Sequence, residues 1–310
     1  MPHASGAVSL TGPSRRTKDR EGVASVVGTI LALLVFLSLL GIFMNHYVPS
    51  MMAGNEHHHD SLVVTQISNL KQSIDSMMIY YINSQSNTLS SFNPVTLGSA
   101  GVPMFATGTQ GQLGVIPVSL NKEPSFSVSF HYNQSGTMHG FNSVSGGGVV
   151  VNMPNRYYVP QSVLYENDAV ILGQSGGQVM LANPGFTISS TKAGISMSLL
   201  MMSIVTPAST NATFSGTNTV GLNSKLLAFT QNTFNTQDTT LNMTIFTPFA
   251  TAWESFFNST FAGAGLKSNS YNFSITSVGK SLQNYELTVT VHGVKQVTLS
   301  SAIVSISAEE

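Results

Sequence analysis

Val23–Phe43 reads VASVVGTILALLVFLSLLGIF, and it decides the architecture of the chain. The run is apolar around its whole circumference, so as a helix it has no polar face to turn to water. Roughly 20 apolar residues, at about 1.5 Å each, cross the hydrocarbon layer of a bilayer. The uncharged stretch is longer still: from Gly22 to Asn55, 34 residues, there is no Asp, Glu, Lys or Arg. Before it stand Arg15, Arg16, Lys18 and Arg20; after it the next basic residue is Lys71. Positive charge stays on the cytoplasmic side, which predicts a cytoplasmic N-terminus and an exported chain from about Tyr47 onward.

Composition narrows the function classes. Charged residues make up 8% of the 310, the net charge is −1, and 95 residues are Ser, Thr or Asn. A nucleic-acid binder needs a basic face for phosphates, and none can be built here. Without cysteine there is no disulfide framework, thiolate metal site or cysteine nucleophile. Eleven acidic residues beyond Gly22 are too few for a carboxylate-rich calcium site. No metal or other cofactor is expected. Carboxylates ionise poorly in acid, so the low charge suits the surface of an acid-dwelling cell.

Directly before the apolar run lies Lys18-Asp19-Arg20-Glu21-Gly22, followed by Val23-Ala24-Ser25-Val26-Val27-Gly28-Thr29-Ile30. This junction resembles the class III signal of archaeal type IV pilins. The resemblance implies a cut by a prepilin peptidase after Gly22, with Arg20, Glu21, Gly22 and Val23 as the processing residues. It implies a mature helix starting at Val23, partnership with the membrane and with other pilin-like subunits, and a filament-core role for that helix. Val27 stands at the fifth mature position, where many bacterial members carry glutamate. The mature chain would also be long for a principal subunit, which points to a minor or adhesive role. A permanently anchored surface receptor or binding module without filaments is the alternative.

Beyond Pro49, where a kink is expected, Val63, Ile67, Leu70, Ile74, Met77 and Tyr81 recur at alternating spacings of four and three. This predicts an amphipathic helix over 60–83, its stripe packed on the protein's own β domain or on a neighbouring subunit. Glu56-His57-His58-His59-Asp60 reads as a solvated linker. Consecutive residues on a helix diverge by about 100°, so three adjacent histidines do not converge on one metal.

From Ser91 the period changes to two. Phe126, Val128, Phe130 and Tyr132 alternate with polar residues, as do Tyr285, Leu287, Val289 and Val291. Further strands are expected at 149–152, 165–172, 178–181, 194–206, 242–246, 271–276 and 294–307, and one helix after Thr247-Pro248 with Trp253, Phe256, Phe257 and Phe261 inward. The fold class is α+β: a basic leader (1–22), a transmembrane or filament-core helix (23–47), a linker with an amphipathic extracytoplasmic helix (48–90), and a mainly antiparallel β-rich head (91–310). Asn133, Asn211, Asn242, Asn258 and Asn272 stand in Asn-x-Ser/Thr sequons, candidate glycosylation acceptors on an exported domain.

Gly173-Gln174-Ser175-Gly176-Gly177 matches G-x-S-x-G, with Asp238 and His292 following in hydrolase order. That chemistry needs a strand-to-helix elbow on a parallel sheet. Here two short apolar runs flank the motif, so a hairpin with glycines at positive φ is expected, and no enzyme. Glu166 and Asp168 are expected to share one face of a strand.

Overall fold

The computed structural model describes residues 15–118, 124–192, 194–207, 212–278 and 284–309, with side chains from 22 onward. It divides into two units, Met1–Met51 and Met52–Glu310.

In the first unit, helix α1 (Arg15–Ile42) carries the apolar run, and every residue from Gly22 to Leu39 is exposed. A π turn follows at Phe43–Tyr47, in which the Val48 N–H reaches back five residues to the Phe43 carbonyl. Helix α2 (Val48–Ser84) then begins, with Pro49 as its second residue. Helical structure therefore continues through Pro49. Proline lacks an N–H and crowds the carbonyl four residues back. The widened turn before it accommodates both, and a proline in the first turn of a helix is tolerated.

The linker read at 48–59 is helical throughout, and α2 runs 37 residues. From Met52 it belongs to the second unit, with two sheets and a third helix. The larger sheet has the order β1 (Ser90–Thr96), β12 (Thr219–Thr247), β3 (Ser125–Gln134), β4 (Thr137–Gly146), β10 (Gly194–Val205), β14 (Asn284–Glu309) and β13 (Tyr271–Val278), with β9 (Phe186–Thr191) also on β10. Most pairs are antiparallel, but β14 lies parallel to β10 from Ile195 to Val205. The smaller sheet is antiparallel throughout: β11 (Ala212–Gly216), β2 (Gly111–Ile116), β5 (Gly148–Met153), β6 (Gln161–Glu166), β7 (Ala169–Gln174) and β8 (Gly177–Ala182).

Two apolar cores result, and the long strands β12 and β14 serve both. In one, Val63, Ile67, Leu70, Ile74 and Met77 of α2 pack with Leu113, Val115, Val149 and Val163 of the smaller sheet and with Val220 and Val304 of the larger. These five stripe residues are at most 3% exposed and Tyr81 is half-buried against the same core, so the stripe is consumed by the protein's own sheets. Each such side chain contributes roughly 1.5–3 kcal/mol on burial. The other core gathers Phe126, Val128 and Met243 under helix α3 (Ala250–Gly263), whose Trp253, Phe256, Phe257 and Phe261 face inward.

Helix α3 starts later than Thr247-Pro248 suggests. Its N-cap is Phe249, and Thr247 Oγ1 accepts the Phe249 N–H while donating to Glu166. The strand expected over 165–172 is two strands, β6 and β7, joined at Asn167 and Asp168 with φ of 40° and 67°. Asn and Asp tolerate that left-handed pair, which matches the twist of a tight hairpin. Glu166 and Asp168 therefore do not lie two apart on one strand.

Candidate functional site

The histidine-rich segment of α2 is where the helix is fastened to the sheets. Glu56, His59 and Asp60 are three and four apart, share a face and are buried, while His57 and His58 are exposed. Burying a carboxylate is costly unless donors meet it, and Glu56 meets four. Its Oε1 accepts the Thr109 hydroxyl and the Arg156 N–H (3.0 Å); its Oε2 accepts the N–H groups of Tyr157 (2.8 Å) and Tyr158 (2.7 Å). Burial pushes the Glu56 carboxyl up, but these hydrogen bonds outweigh it and hold the group below the usual glutamate range. The solvated-linker reading is thus corrected by donors lying about 50 and 100 residues away in sequence.

His59 Nε2 lies 2.9 Å from the Thr96 carbonyl, which can only accept, so Nε2 carries the proton. Asp60 Oδ2 accepts the Asn155 side-chain amide at 2.7 Å. At the middle of the stripe along α2, Lys71 Nζ sits 2.8 Å from Asp168 Oδ1 and 3.0 Å from Asp75 Oδ2. Burial pushes Asp168 up, Lys71 opposes it and Asp75 adds to it. Asp168 Oδ2 accepts the Gly185 N–H, and the neighbouring Asn167 amide pairs with the Leu200 carbonyl and the Met202 N–H of β10. The β6–β7 turn is thereby tied to both α2 and the larger sheet.

Glu166 is a second buried carboxylate. Its Oε1 accepts the Thr247 hydroxyl (2.6 Å) and the Trp253 indole N–H (2.7 Å), while its Oε2 is buried with no hydrogen-bond partner among the described residues. Burial pushes it up to about 7 against those two donors. Trp253, 1% exposed, is a packing anchor.

The residues of the G-x-S-x-G match are not gathered. Ser175 and Gly176 form the exposed turn between β7 and β8, in the smaller sheet, and neither Gly176 nor Gly177 takes a left-handed φ. Gly173 has a packing reason instead: a Cβ there would lie 2.1 Å from the Phe249 ring. His292 Nδ1 is 3.0 Å from Thr240 Oγ1 and Asp238 lies 3.9 Å from Lys295, both in the larger sheet.

Of the sequon asparagines, Asn258 on α3 and Asn272 on β13 are exposed. Asn133 is half-buried and accepts the Gly136 N–H across the β3–β4 turn. Asn242 is also half-buried, between β3 and β14, and accepts the Thr290 hydroxyl. Asn211 lies outside the described residues. At the processing junction Arg20 and Glu21 are in α1, and Gly22 and Val23 are exposed in the same helix; residues 1–14 of the leader lie outside the described ones.

The sequence reading missed Glu56, Thr109 and Arg156 as a constellation. Two signals were present: Glu56 is the first charge after the uncharged run, and Arg156 is the only arginine beyond residue 20. Among the described residues there is one helix long and apolar enough to cross a membrane. No protein-family model, curated protein or solved structure matches the chain.

Proposed function

We infer that the chain is an archaeal type IV pilin-like surface protein, a minor or adhesive subunit with no catalytic role. A prepilin peptidase cuts between Gly22 and Val23, helix Val23–Phe43 lies in the membrane and then against other pilin-like subunits, and the β-rich head is displayed outside the cell. One observation carries the reading. A helix exposed and apolar on all sides from Val23 to Leu39 has no place in water and must be covered by lipid or by other helices. Its position directly after a basic leader ending in Glu21-Gly22 fits a peptidase acting at the cytoplasmic face.

A second reading has its own support. The α2 stripe, which could have served as a seam between subunits, is spent inside the head, leaving assembly to the first helix alone. That favours a permanently anchored receptor or binding module. Expression in an archaeal host with Gly22→Val separates the two: a pilin-like protein accumulates as an uncut, slower-migrating precursor and loses any filaments seen by electron microscopy, whereas a permanent anchor is unaffected.

A further inference from the structure

A cavity of about 1170 Å³, open to solvent, is lined by Gly101–Gln112 with Pro154, Arg156, Ser215 and Thr217. Hydroxyls, side-chain amides and backbone groups make up the larger part of its lining, and the rest is apolar, with Met104 and Phe105 exposed. Arg156 is the one formally charged residue in it. We propose that this cavity binds a carboxylate-bearing saccharide, with the Arg156 guanidinium pairing the uronate and the hydroxyl and amide groups of Thr107, Gln110, Gln112, Ser215 and Thr217 meeting the sugar hydroxyls.

Three independent features support a built site. The first is a wall with no room to shift. A Cβ at Gly101, Gly108 or Gly111 would lie 2.3, 2.0 or 1.9 Å from the carbonyl oxygens of Ala106, Ser99 and Leu97. The loop is closed by reciprocal backbone bonds between Val102 and Ala106, both 2.9 Å. A ligand therefore meets a surface already in place, and little ordering cost is added on binding. The second is the pin behind it. Glu56 accepts from Thr109 on one wall and from the Arg156 N–H on the other, so a single buried carboxylate fixes both relative to α2. It acts as a positioning residue from behind the cavity.

The third is charge. The Arg156 guanidinium has no carboxylate within 4 Å among the described residues, as is also true of the Lys192, Lys225 and Lys267 ammonium groups, but of these four residues only Arg156 lines the cavity. Glu56 engages its backbone N–H, leaving the planar fork to match a carboxylate in two parallel bonds, as lysine cannot. A neutral rim of hydroxyls and amides around one cation, with Met104 and Phe105 available to the apolar face of a sugar ring, suits an acidic sugar better than an acidic peptide, which would bring several negative charges to one arginine. The site gives the display role its ligand and rests on that reading only for its setting. It lies wholly within Met52–Glu310, so its failure leaves processing and assembly untouched.

The test is titration calorimetry on the full chain in detergent micelles, with tetramers of galacturonate, glucuronate and mannuronate, their methyl esters, inorganic phosphate and a tetraglutamate peptide. At least one uronate is expected to bind saturably, with its methyl ester at least tenfold weaker. Arg156→Gln, which keeps the N–H to Glu56, should weaken the uronate at least tenfold with Trp253 emission unchanged. Arg156→Lys should fall between. The proposal is overturned if no uronate binds, if Arg156→Gln binds as well as the parent, or if phosphate or tetraglutamate binds as tightly as the best uronate.

Discussion

Arg156 donates its backbone N–H to Glu56 Oε1 at 3.0 Å, joining residues one hundred apart in the chain. With Tyr157 and Tyr158 on the other oxygen, three successive N–H groups converge on one carboxylate carried by α2. Replacing Glu56 by Gln keeps the shape but presents an amide NH₂ to donors. At least one buried N–H is left without an acceptor, at roughly 3 kcal/mol including the lost charge-assisted bonds. Urea unfolding of the full chain in micelles, read by Trp253 fluorescence, should show that loss; an unchanged midpoint would mean that the clasp contributes nothing.

The two buried glutamates respond to pH with opposite sign. Glu166 has its carboxyl raised from 4.5 to about 7 by burial, so the folded state holds that proton more tightly than the unfolded chain. Its contribution is complete below about 4.5 and is lost as pH rises through 7, a change of about 3 kcal/mol. Glu56 has its carboxyl lowered; its stabilisation is present above the ordinary glutamate range and is lost as pH falls through the lowered value. Stability should therefore decline between pH 4.5 and 7 in the parent, with Asp168, also raised by burial, adding to the decline; Glu166→Gln should make that limb shallower and raise stability at pH 8. A parent curve rising through this range would contradict the assignment.

Core and exposed apolar residues should separate cleanly. Leu70 is fully buried in α2, whereas Leu34 is 57% exposed in α1. Leu70→Ala is expected to cost about 3 kcal/mol of head stability through lost burial and a residual cavity. Leu34→Ala should change it by less than about 0.5 kcal/mol and act only on membrane retention or assembly. Paired unfolding curves of the two variants check this.

Glycan occupancy in an exporting archaeal host should follow exposure. Asn258 and Asn272 face solvent, whereas Asn242 lies between two strands with its oxygen engaged by Thr290. Glycopeptide mass spectrometry should find sugar at the first two and none at Asn242. Occupancy of Asn242 would require modification before folding.

Much of this fold was legible because period and polarity are local. The all-round apolar run, the four-three stripe of α2 and the alternation in β3 and β14 each declare their element within a few residues. The burial of Glu56, His59 and Asp60 was hidden because it depends on donors from Thr109 and residues 155–158, which no short window contains. The β6–β7 turn was lost for a different reason: Asn167 and Asp168 sit in an otherwise strand-like stretch, and their left-handed backbone is a property that two adjacent polar residues only permit. Proline at position 49 promised a kink, and helical structure continues through it after a π turn at Phe43–Tyr47.

We propose that Glu21-Gly22-Val23 is a processing junction that frees an apolar helix for assembly. Terminal-peptide mass spectrometry of the protein extracted from its own host's membranes tests it most directly. A mature chain beginning at Val23 is the result expected. A chain that retains the leader through Gly22 would contradict the pilin-like reading and leave a permanently anchored surface protein.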